Sequence, residues 1–96
     1  MKTKVRYFGA IRVMTGRKEE EVEISSDAII YDLLQRLSSI YGEAFKSEIF
    51  QEDGQNLRDD WIIAINGTLS EQKNILGTRM KSGDIITLFP VFPGGG

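Results

Sequence analysis

Between Ile30 and Tyr41 the apolar residues Ile30, Leu33, Leu34, Leu37, Ile40 and Tyr41 recur at intervals of three and four, the spacing that lines one side of a helix. Ser26 and Asp27 are candidate caps at its start, and Gly42 closes it. The polar positions Asp32, Gln35, Arg36 and Ser39 fall on the other side. Asp32 and Arg36, four apart, pair there for about 0.2–0.5 kcal/mol. Such a stripe must be covered, and no second stripe of this length occurs in the chain. A sheet has to supply the cover.

The strands are legible on both sides of the helix. From Thr3 to Phe8, residues Thr3, Val5 and Tyr7 alternate with Lys4, Arg6 and Phe8, the period of a half-buried strand. Gly9 to Gly16 reads as a loop carrying Ala10, Ile11, Val13 and Met14. A second strand follows at Glu19–Ile24, with Val22 and Ile24 inward and Glu21 and Glu23 on a solvated face. The spacing favours an antiparallel hairpin.

Beyond the helix, Glu43 to Asp60 predicts a short helical turn around Ala44–Phe50 and then an irregular polar loop with a turn at Asp53-Gly54. Asp53, Asp59 and Asp60 lack the regular alternation of a calcium loop, so no metal site is read there. Trp61–Ile65 is a nearly continuous apolar strand suited to the centre of a sheet, and Asn66-Gly67 signals a tight turn into Thr68 and Leu69. Asn74–Met80 reads as a connection anchored by Leu76. The last strand, Asp84–Phe89, alternates Ile86 and Leu88 inward with Ile85, Thr87 and Phe89 outward. Two strands, one main helix across the sheet and further strands describe an α+β roll of the β-grasp (ubiquitin-like) kind, with a mixed sheet of four to five strands. A β-α-β-β plait would need a second full helix, which Glu43–Asp60 is too broken to supply. The boundaries expected are a β-grasp domain over 1–90 and a glycine-rich tail over 91–96.

Composition removes whole classes of function. The 96 residues include no cysteine and no histidine, which excludes disulfides, thiolate nucleophiles, most zinc sites and the usual general base. A self-contained enzyme is not expected. The formal net charge of −2, with acidic residues gathered at Glu19, Glu20, Glu21 and Glu23, offers no basic stripe for nucleic acid. No apolar run approaches the roughly 20 residues of a membrane span, and the first residues lack a signal-peptide core. A cytoplasmic protein is expected.

Attention therefore falls on the end of the chain, Pro90-Val91-Phe92-Pro93-Gly94-Gly95-Gly96. Pro90 and Pro93 each fix φ and remove an amide donor, so they are expected to stop the sheet and hold the exit extended. Glycines without a Cβ fit a slot too narrow for other residues. From Val91 to Gly96 the reach is about 20 Å at roughly 3.3–3.6 Å per residue, enough to enter the active site of another protein.

Four segments in order, Val5–Arg12, Tyr31–Leu37, Ile63–Gly67 and Gly83–Pro90 continuing to Gly95, resemble the ubiquitin-like sulfur carriers of the MoaD/ThiS family. The closest resemblance is to the small subunit of molybdopterin synthase and its archaeal small-modifier relatives. The resemblance implies that Gly96 is adenylated by a ubiquitin-activating-like adenylyltransferase, which uses ATP, and becomes a thiocarboxylate. Sulfur then passes to a precursor in the large synthase subunit. The carrier is non-catalytic, binds no cofactor, and uses Gly94 and Gly95 to thread the tail. Relatives end in Phe-Pro-Pro-Val, one or two residues and Gly-Gly. Here one proline is displaced and one glycine added, so either Gly95 or Gly96 is the functional terminus.

In a β-grasp sheet the first and last strands are adjacent, so Phe8 and Phe89 should be neighbours, joined by Ile85 and flanked by Arg6 and Arg12. With Val91 and Phe92 these form the expected partner-binding surface. The competing function is a protein modifier joined through the same glycine to target lysines. Sulfur donation to tRNA or to a thiamine thiazole is a further alternative acceptor.

Overall fold

Burial on one face and charge on the other organise the first strand: in β1 (Lys2–Tyr7) Thr3, Val5 and Tyr7 are buried while Lys2, Lys4 and Arg6 face outward. The computed structural model describes residues 1–69 and 71–91. After β1 come a helix α1 (Gly9–Thr15), strand β2 (Glu19–Glu23), helix α2 (Ile30–Tyr41), helix α3 (Glu43–Ile49), strand β3 (Trp61–Ile65), strand β4 (Thr68–Leu69), a 3-10 helix (Gln72–Gly77) and strand β5 (Ile85–Pro90). The sheet order is β2-β1-β5-β3-β4. β1 runs antiparallel to β2 and parallel to β5, and β5 runs antiparallel to β3. This is the mixed β-grasp roll expected from the pattern, with five strands.

The stripe of α2 packs over its first two turns, where Ile30, Leu33, Leu34 and Leu37 are fully buried with Val5, Tyr7, Ile63, Ile86 and Leu88 of the sheet; Tyr41 is half-buried against the same core, and Ile40, expected on the stripe, is exposed near the helix end. Each fully buried side chain contributes about 1.5–3 kcal/mol through removal from water. Neither Ser26 nor Asp27 caps the helix. Ile29 is the capping position, and its amide donates to the Asp32 carboxylate at 2.9 Å. Asp27 instead accepts from the Ser25 hydroxyl at 2.6 Å.

Three further expectations are refined. The Gly9–Gly16 loop contains α1, a helix held by buried Ile11 and ended by Gly16 in the left-handed region. β3 lies inside the sheet, as its apolar run suggests, paired with β5 on one side and β4 on the other, while the middle place belongs to β5. Ile75, fully buried, is the main anchor of the connection before β5, and Leu76 is half-buried against the same core. That turn is fastened to β3 by the Gln72 side chain, which accepts from the Ile63 amide and donates to the Ile63 carbonyl, both at 2.9 Å. A side-chain amide thus stands where a neighbouring strand would continue the ladder.

Candidate functional site

The central strand carries the chain toward its C-terminus, and its exit is braced from two sides. Pro90 does not stop the sheet before its own position: it pairs with Trp61 as the last residue of β5. It sits there without a broken ladder because its missing amide falls where the strand ends. The next amide, of Val91, donates to the Asp60 carbonyl at 2.9 Å. The Asp60 carboxylate accepts a fork from Arg58, at 3.1 Å from Nε and 2.8 Å from Nη2. Arg58 also donates to the Ser47 carbonyl at 3.1 Å, tying this turn to α3. A groove of about 490 Å³ lies alongside, lined by Leu57, Trp61, Ile62, Leu76 and Val91 among others.

From the other side Gly9 presses on Pro90. Gly9 has φ of 64°, and a Cβ placed on it would lie 2.9 Å from Pro90 Cγ. The start of α1 and the end of β5 can approach this closely because that position carries no side chain.

Outward positions of the strands make an open face opposite α2. The β1–β5 register pairs Lys4 with Ile85, Arg6 with Thr87 and Tyr7 with Leu88, and the Phe8 amide donates to the Leu88 carbonyl at 3.2 Å. Its next step sets Phe8 level with Phe89, as expected. Ile85 does not join them. It lies opposite Lys4 at the far end of β5, and Thr87 intervenes. The residue beside Phe89 is Ile62 of β3, followed by Ala64 beside Thr87 and Leu69 beside Ala64. Ile62 was hidden within the unbroken apolar run Trp61–Ile65, and only the antiparallel register with the last strand could have singled it out.

Toward β2 the face becomes charged. Lys2, Lys4 and Arg6 stand opposite Glu23, Glu21 and Glu19. Glu19 lies 3.3 Å from Lys4 and 3.5 Å from Arg6. These exposed pairs add little stability but balance the charge on that side. Arg12 lies apart, exposed on α1.

At the opposite end of β5, the middle and last motif segments are bonded to each other. Asp84, 8% exposed, accepts from Asn66 Nδ2 at 2.9 Å and from the Lys81 amide at 2.8 Å. Asn66 Oδ1 in turn accepts from the Ile85 amide at 2.8 Å, and Asn66 has φ of 53°. The Thr3 hydroxyl donates to the Asp84 carbonyl at 2.8 Å. Asn66-Gly67 and Gly83-Asp84 are therefore one device that sets where β5 starts.

A second polar cluster joins β1, β2 and the end of α2. The Tyr7 hydroxyl donates to Glu20 at 2.6 Å, and the Tyr41 hydroxyl donates to the same Glu20 oxygen. Burial, then the bond to Glu20, raises the Tyr7 pKa. The same causes push Tyr41 up to about 12. Among the described residues no group of three His, Cys, Asp or Glu side chains is placed to hold a metal ion. No helix of the described residues is long and apolar enough to cross a membrane. The expected roles of Phe92, Gly94, Gly95 and Gly96 concern positions outside the described residues.

A β-grasp sheet whose central strand leads to the C-terminus beside an open apolar face defines a ubiquitin-like protein. The sequence model of the ThiS family matches residues 5–95, and the chain belongs to that family of ubiquitin-like sulfur carriers and modifiers. Among solved structures, the chain is 27% identical to small archaeal modifier protein 1 from Haloferax volcanii, covering 99% of this chain and 100% of that one with a TM-score of 0.82. A putative molybdopterin converting factor, subunit 1, from Pyrococcus furiosus is 32% identical, covering 96% and 99% with a TM-score of 0.73. The small archaeal modifier protein 1 of Methanosarcina acetivorans is 28% identical, covering 98% and 96% with a TM-score of 0.79. No curated protein matches the sequence.

Proposed function

We propose that this chain is a sulfur carrier for molybdopterin biosynthesis, with the carboxylate of Gly96 as the group that carries sulfur. The observation that carries this reading is a family match that runs through the core and into the glycine tail, to residue 95. The 32% identity to the putative molybdopterin converting factor subunit supports the choice of acceptor. A terminal carboxylate, with a pKa near 3.3–3.7, is ionised at neutral pH and is a poor electrophile. Its oxygen attacks the α-phosphorus of ATP in an activating adenylyltransferase, pyrophosphate leaves, and the acyl-adenylate now has AMP as leaving group. A sulfur nucleophile displaces AMP to give the thiocarboxylate, which the large synthase subunit consumes. The chain contributes positioning: Phe8, Phe89, Ile62 and Arg12 dock the partner, and Gly94 and Gly95 thread the tail.

Intact-protein mass spectrometry after incubation with ATP, a sulfur donor and the host's activating enzyme tests this. The expected product is heavier by the difference between one sulfur and one oxygen. Absence of that product with an enzyme active on another carrier would overturn the reading. The likeness to small archaeal modifier protein 1 favours a second reading, conjugation of the same glycine to target lysines. It predicts isopeptide-linked adducts in peptide digests of the host.

A further inference from the structure

The exposed side of α1 is accounted for neither by the core nor by the open face. Phe8 is 44% exposed, Val13 83% and Met14 41%, so three of the five exposed large hydrophobics among the described residues fall within seven positions. Ala10, Val13 and Met14, spaced three and four apart, share one side of the helix, while Ile11 alone faces the core. Cations surround them: Arg12 on the helix, and Arg17 and Lys18 just beyond it, are exposed and form no ion pair among the described residues. Of the carboxylates nearest in sequence, Glu19 is paired with Lys4 and Arg6, while Glu20 accepts from two tyrosine hydroxyls, keeps its charge, and is the counter-charge nearest Arg17, which lies close to Tyr41. Glu43, at the start of the α3 helix that packs on α1, makes no ion pair with these cations either. In a chain of net charge −2, Arg12, Arg17 and Lys18 thus stand around an apolar centre without an ion pair among the described residues.

Position gives the patch a use. Gly9, the first residue of α1, is in contact with Pro90 at the base of the tail, and Phe8 belongs both to the open face and to the approach to α1. Any enzyme that grips the tail meets both surfaces. We propose that α1 with Arg17 and Lys18 is a second docking surface, which receives an acidic, apolar-centred region of the activating adenylyltransferase. This rests on the reading of the terminal glycine as that enzyme's substrate. Opposite charge would steer the encounter and fix its orientation, while Val13 and Met14 supply the area removed from water.

The test is the steady-state rate of pyrophosphate release by the host's activating enzyme with the full chain as substrate. Val13→Glu places a negative charge in the patch at a residue too exposed to matter to the core. Arg17→Glu together with Lys18→Glu reverses its charge at two exposed positions. Each variant should raise KM for the carrier about tenfold, the weight of one interface hot spot, with kcat unchanged. Added salt should raise the wild-type KM and narrow its gap to the double variant. Unchanged KM in both variants, with normal activation of the wild-type chain, would overturn the second surface and leave the carrier function standing. Failure of the wild-type chain itself to be adenylated would overturn both.

Discussion

Replacing Gly9 by alanine tests whether the contact between α1 and the tail base is as tight as its geometry requires. Two costs add. An L-residue held at φ of 64° occupies the left-handed region, at about 1–2 kcal/mol. The new methyl would meet Pro90 Cγ at 2.9 Å and Cδ at 3.3 Å. A proline ring cannot rotate away, so backbone must move, and overpacking of this kind costs typically about 1–3 kcal/mol. The sum is about 2–5 kcal/mol, which for a domain of this size lowers Tm by roughly 10 °C or more. Gly16 supplies the control: its φ is 70°, yet nothing lies within 4 Å of its would-be Cβ. Gly16→Ala should therefore show the backbone cost alone. Urea denaturation of both variants gives the difference directly, and a cycle with Pro90→Ala should recover the contact part. If Gly9→Ala costs no more than Gly16→Ala, the packing of α1 on Pro90 does not hold.

Asp84→Ala strips the Asn66 amide and the Lys81 amide of their acceptor, and a loss of about 1–3 kcal/mol in urea denaturation is expected; a neutral result would remove this node from the account of β5. Raised pKa values for Tyr7 and Tyr41 mean that the folded chain holds these protons more tightly than the unfolded chain. The stability they confer is complete below the ordinary tyrosine value of 10.0 and declines as pH rises through about 12 for Tyr41, and beyond that for Tyr7. Denaturation measured across that alkaline window should show the fall, and Glu20→Gln should reduce it; a flat profile would contradict the shared Glu20 contact. Phe89→Ala, on the open face, should weaken binding to the activating enzyme or the synthase subunit about tenfold while leaving Tm nearly unchanged. Unchanged affinity in a titration would place the interface elsewhere.

Local periodicity alone disclosed α2, because apolar side chains at helical spacing mark one covered face, although Ile40, read as part of it, is exposed. The same holds for β1 and β5, where buried Val5, Tyr7, Ile86 and Leu88 alternate with outward neighbours. The absence of cysteine and histidine and the glycine run at the C-terminus are likewise properties of the sequence itself. Seven-residue α1 could not be read this way. A helix that short is unstable alone and exists here because Ile11 is buried. That Ile75 is buried more deeply than its neighbour Leu76 depends on the pitch of a 3-10 turn fastened by Gln72 to a strand nine residues away. The pairing of Phe89 with Ile62, the separation of Ile85 from Phe8, the joining of Asn66 to Asp84 and the contact of Gly9 with Pro90 all link residues distant in the chain. Side-chain pattern sets which face of an element is buried, but strand order and register arise from contacts across the sheet, and only tertiary structure decides them.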